Sequence, residues 1–109
     1  MAIIVVNYWY PPSKVMEVGK KTLESMQKNP IDKDKALFKP VIIGITRPDK
    51  EGIHGMSIVQ VRGKVEDAAM AMTQRFLNFT SVDGFKFQVD LYAEMSEAMG
   101  MLGMNPPTS

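Results

Sequence analysis

The sequence predicts an α+β domain: a four-stranded antiparallel sheet with two helices on one face, in the order βαββαβ, closed by a short C-terminal helix. Three observations lead there. Positions 2–9 carry no charge and are rich in β-branched and aromatic residues, as a strand covered on both faces requires. Two later segments carry apolar residues at three- and four-residue steps, the spacing of helices that bury one stripe. Residues 85–92, Phe-Lys-Phe-Gln-Val-Asp-Leu-Tyr, alternate apolar and polar without a miss, which is a strand with one polar face.

Taken in order, the first strand ends at Pro11-Pro12, which cannot donate to a ladder, and Ser13 stands where a helix N-cap belongs. Val15, Val18, Gly19, Thr22, Leu23 and Met26 then form one face of a helix, with Lys14, Glu17, Lys20, Lys21, Glu24 and Lys28 largely on the other. Asn29-Pro30 closes it, and the charged run 31–35 reads as a surface loop. Val41, Ile42, Ile43 and Ile45 build a second strand that begins near Leu37 or Pro40 and ends at Arg47. The stretch 48–52, Pro-Asp-Lys-Glu-Gly, is hairpin turn chemistry. A third strand covers residues 53–62, and Gly63-Lys64 breaks it. Val65, Ala68, Ala69, Met72, Phe76 and Phe79 mark a second helix of about four turns. Asp83-Gly84 turns into the alternating fourth strand. Residues 94–103 read as a short Met-rich helix, and 105–109 as a tail prone to fray. A chain of 109 residues has room for one core, so 1–104 are read as a single domain.

Composition excludes several classes of function. The 13 basic and 12 acidic residues, net charge +1, are interspersed, so no field for a polyanion is expected and no nucleic acid partner is assigned. There is no Cys, which removes disulfides, thiolate metal sites and a Cys nucleophile and fits a reducing, cytoplasmic setting. With a single His, a zinc site built on protein nitrogen and sulfur is not expected; a carboxylate-only magnesium site stays open, but the one acidic cluster, Glu66-Asp67, reads as favouring a helix N-terminus. No cofactor is expected. The N-terminal apolar run stops at Asn7, short of a membrane span. The ten Met read as gap fillers or subunit contacts.

The order strand, helix, strand, strand, helix, strand is the ferredoxin-like pattern, whose first and third strands lie in the middle of the sheet. In element order and length, over residues 2–103, the chain resembles the dimeric α+β barrel superfamily, small ferredoxin-like domains that pair through their open sheet faces. That resemblance implies a homodimer with an internal cavity, and an activity drawn from cofactor-independent monooxygenases, haem-degrading enzymes or isomerases. Haem-degrading members use an Asn, a Trp and a His. Here Asn7 and Trp9 are two residues apart on one strand and His54 lies on another, so that arrangement is not carried over.

Alternation assigns the open face. It takes Ile3, Val5, Asn7 and Trp9 from the first strand; His54, Met56, Ile58, Gln60 and Arg62 from the third; Lys86, Gln88, Asp90 and Tyr92 from the fourth; and Ile42, Gly44 and Thr46 from the second. A face this apolar asks for a cover, and a second copy of the chain supplies one. With the strands ordered 4-1-3-2, one polar group gathers Asn7, Trp9, Gln60, Arg62, Lys86 and Gln88, and another His54, Asp90, Tyr92 and Thr46. The ligand-binding candidates are Asn7, Trp9, Gln60, Arg62, Gln88, Asp90 and Tyr92, with rim hydrogen bonds of a dimer seam as their structural alternative. His54 is the one candidate general base, being the only imidazole. Arg47, Arg62 and Arg75 read as solvated. The function expected is small-molecule binding or assembly, with a monooxygenase or isomerase as the alternative. An RNA-binding sheet, which has the same topology, lacks the aromatic run it needs on the third strand.

Overall fold

The structure, a computed structural model, describes residues 2–95, 99, 102 and 103. Its elements are β1 (Ile3–Tyr10), α1 (Val15–Lys28), β2 (Phe38–Asp49), β3 (Gly52–Val61), α2 (Val65–Leu77) and β4 (Lys86–Tyr92), with short 3-10 turns at Pro12–Lys14 and Ile31–Asp34. The tail 105–109, and most of the helix expected over 94–103, lie outside the described residues. All strand pairs are antiparallel and the sheet order is β2-β3-β1-β4. The uncharged strand β1 is therefore interior, paired on both edges.

Both helices lie on one face of the sheet. Ile4 and Val6 of β1 pack with Ala68 and Met72 of α2, and Tyr10, at the same parity of β1, packs with Val18 of α1. Ile4, Val6, Phe38, Val59 and Met72 are sealed from solvent, and each such side chain contributes about 1.5–3 kcal/mol of transfer free energy. Phe38, the largest of them, starts β2 two residues before the proline at which that strand could also have been taken to begin.

Three local expectations are corrected. Ser13 does not cap α1: it lies inside the 3-10 turn that Pro12 opens, and the capping position falls to Lys14, with no side-chain hydrogen bond. The charged run after α1 is a 3-10 turn rather than an open loop, and Ile31 packs on the core cluster. In β2, Ile42 opposes Ile58 on the open face, but Gly44 and Thr46 belong to the helix side. Thr46 opposes Gly55, and the Gly44 N–H donates to Ser57 Oγ at 3.2 Å. The physical reason is a pair of register shifts, between Pro40 and Ile42 and between Ile42 and Ile45. Extra residues there break the two-residue period on which the assignment rested.

The helices are unequally seated. In α2, Ala68 and Met72 are buried and Phe76 packs on the core. In α1 only Val18 is buried, while Leu23 and Met26 of the same stripe are 63% and 60% exposed. What ties this side together is Arg75 of α2. Its guanidinium donates to Asp34 Oδ2 from Nε (3.0 Å) and Nη2 (2.7 Å), and to the carbonyls of Asn29 (2.7 Å) and Pro30 (3.0 Å). Arg75, expected to be solvated, is instead a strut between α2 and the turn that follows α1.

Candidate functional site

The open face takes its residues from odd positions of β1. Along that strand Ile3 lies between Gln60 and Tyr92, Val5 between Ile58 and Asp90, Asn7 between Met56 and Gln88, and Trp9 between His54 and Lys86. Residues directly opposite each other share a face, so the side expected for each of these residues on β1, β3 and β4 agrees with the register. The two expected polar groups do not. His54 joins Asn7 and Trp9, whereas Gln60 moves to the start of β1, across Ile3 from Tyr92, because β3 runs antiparallel and its first residues meet the end of β1.

At that end four side chains converge. His54 Nε2 and Asn7 Oδ1 are 2.8 Å apart, a hydrogen bond in which the ring N–H donates to the amide oxygen. On its other side, His54 Nδ1 is 3.9 Å from Asp49 Oδ2. The Trp9 indole stacks on the imidazole, with centroids 4.9 Å apart and planes within 9°. His54 is about one-fifth exposed at its side chain, held at one ring edge by Asn7 and on one face by Trp9, with the Asp49 carboxylate near the other edge but beyond hydrogen-bond distance. Arg47 and Lys86 stand next in register, opposite His54 and Trp9 respectively. Asp49, which the sequence shows only as a turn residue, is thus the partner that sequence reasoning missed. Its position is set by the two-residue loop Lys50-Glu51: Asp49 pairs with Gly52, and its Oδ1 also accepts the Glu51 N–H at 2.8 Å.

The remaining candidates are placed elsewhere. Gln88 donates to both oxygens of Asp90 at 2.9 and 3.0 Å, two positions along β4, so this pair satisfies itself at the surface. Tyr92 is more than half exposed at the far end. Arg62 lies just past β3 and donates to the Lys35 carbonyl at 3.1 Å. His54 and Asp90 remain separated by β1, and their partners on that strand, Trp9 and Val5, are four positions apart. Among the described residues no three of His, Cys, Asp and Glu come together, and no helix is long and apolar enough to cross a membrane.

The chemistry that this corner can do follows from its parts. An oriented imidazole, an amide and a carboxylate on an apolar sheet can hydrogen-bond and orient a small molecule, and the flat indole gives it a surface to stack on. Around it the face is apolar: Ile3, Val5, Ile42, Ile45, Met56 and Ile58 share it. A separate cavity opens not on this face but on the opposite side of the sheet, beneath α1. Comparison with protein-family models, with curated proteins and with solved structures returns no match.

Proposed function

We propose that the chain is a homodimeric small-molecule-binding domain of ferredoxin-like type, in which two sheet faces close on each other and the Asn7, Trp9, His54 and Asp49 corner holds the ligand. The observation that supports this reading is the preassembled His54 contact set, built at the edge of an otherwise apolar open face. Such a face is stabilised by a cover at about 25 cal/mol per Å² of apolar surface buried, and a second copy brings the same shape and chemistry. The ligand suited to the corner is small and planar, stacked against Trp9, with a negative group toward Arg47 and Lys86.

Sedimentation and Trp9 emission test both parts. The expected result is a dimer at micromolar concentration that becomes monomeric in Ile45→Lys and Ile58→Lys. Titration with 2-naphthoate is expected to quench Trp9 saturably, about tenfold more weakly in His54→Ala. A wild-type monomer, or no saturable quenching, overturns the reading.

A second reading, an isomerase or cofactor-independent oxygenase working in the same seam, is favoured by the fixing of the imidazole by the Asn7 hydrogen bond and the Trp9 ring, since a proton-transferring ring must be oriented. It requires that His54→Gln abolish turnover while leaving 2-naphthoate binding in place.

A further inference from the structure

The cavity beneath α1 has a volume of about 930 Å³, within the range of small-ligand sites, roughly 300–1,000 Å³. Its roof is the apolar stripe of α1: Val15, Val18, Gly19, Leu23 and Met26. Its floor is aromatic. Tyr8, Tyr10 and Phe85 hold their ring planes within 17° of one another, and Phe79 stacks on Phe85 at 5.2 Å. An aromatic wall favours an apolar, flat partner, which packs against it with little loss of conformational freedom.

The lining is mainly apolar; its charged residues Lys20 and Asp32 are exposed to solvent, and Tyr8 and Ser57 bring hydroxyls to the sheet side. The Tyr8 phenol makes no hydrogen bond to any described residue; it lies beside Gly44, where a Cβ would stand 3.8 Å from its oxygen. Ser57, 5% exposed, accepts the Gly44 N–H and has its own O–H left to donate. Both line the cavity, and both are donors without acceptors. Leaving such groups unpaired on desolvation is unfavourable, so a ligand that supplies an acceptor is preferred. Of the two cations in the lining, Lys20 is exposed to solvent and Arg75 is already engaged by Asp34 and two carbonyls. The site therefore selects a neutral molecule.

We infer that the cleft between α1 and the sheet is a second binding site, independent of the open face, for a neutral, flat, apolar compound carrying one carbonyl acceptor, received by the Tyr8 and Ser57 hydroxyls. Filling it covers the stripe of α1 that the fold leaves in solvent.

Methyl-¹³C methionine labelling reads this directly, because Met26 and Met72 line the cleft and Met56 lies on the opposite face. Titration with 2-acetonaphthone is expected to shift Met26 and Met72 saturably and leave Met56 unmoved, in the wild type and in a monomeric open-face variant alike. Tyr8→Phe should weaken the ketone about three- to tenfold and leave 2-ethylnaphthalene, which lacks the acceptor, unchanged. Leu23→Glu, an exposed position on the roof, should abolish binding of both without unfolding the chain. The inference is overturned by the absence of saturable shifts up to the solubility of the ketone, or by shifts at Met56 instead. Equal weakening of both probes in Tyr8→Phe, or contact between the Met26 and Met72 methyls in the ligand-free protein, which would mean α1 has closed on the sheet, overturns it as well.

Discussion

Arg75 grips Asp34 through two nitrogens of one guanidinium, at 3.0 and 2.7 Å, and in the same plane reaches the last carbonyls of the chain leaving α1. One side chain of α2 thereby holds the turn that α1 leads into. This matters because α1 buries only one residue of its own.

Removing that grip is expected to destabilise the protein out of proportion to the apolar area lost. Arg75→Ala strands a carboxylate and two carbonyls, and charged hydrogen bonds of this kind contribute about 1.5–3 kcal/mol. Urea denaturation should show a loss of about 2–4 kcal/mol. Arg75→Lys should restore only part of it, since an ammonium cannot make the two-pronged contact. A loss below about 0.5 kcal/mol in Arg75→Ala would mean the turn is held by other contacts.

The Tyr8 ring lies across Gly55: a Cβ there would come within 2.1 Å of two ring carbons. The ring has nowhere to retreat, being packed against Phe76 at 5.3 Å and Phe85 at 5.8 Å. Gly55→Ala should therefore cost about 1–3 kcal/mol, the usual range for overpacking, and the paired variant with Tyr8→Ala should recover part of that. Non-additivity in this cycle is the measurement that checks it.

Alkaline pH should weaken the fold from the same region. Burial pushes the Tyr8 phenol up from its ordinary value of 10.0, with Tyr10 adding to the effect, and burial also raises Tyr10. The unfolded chain releases these protons near pH 10 while the folded chain keeps them, so the folded state binds more protons in the window above. Stability is full below pH 10 and falls as pH rises through the folded values. Urea midpoints at pH 9 and above should show that fall, and Tyr8→Phe should flatten it.

Much of the open face was legible because alternation is a strict rule on regular strands. Val59 and Val61 must go inward, and that alone sends His54, Met56, Ile58 and Gln60 outward. Strand β2 resisted the same treatment because Val41, Ile42, Ile43 and Ile45 are apolar on both sides and irregularities on either side of Ile42 change the phase. The convergence of His54 with Asn7 and Trp9 needed only the antiparallel direction of β3, a signal present in the sequence and misapplied. Asp49 gave no such signal, since its role depends on how the hairpin loop sets its carboxylate. Arg75 and the cleft depend on how α1 is carried over the sheet, and helical periodicity shows which face is apolar, not how closely it is seated.

The pairing of Tyr8 with Gly55 also bears on how the chain finds its alignment. From Ile3 to Val6 every residue of β1 is apolar, so sliding this strand along β3 changes little in hydrophobicity, the situation in which strands mispair. A slide of one residue would throw the phenol to the other side of the sheet. A slide of two would drive it into Ile53 or Ser57, the neighbours of Gly55 on that side of β3. Only the notch at Gly55 accepts the ring. A glycine that adds no side chain to the core thus selects one alignment among several, and that alignment brings Trp9 beside His54 on the far side of the sheet.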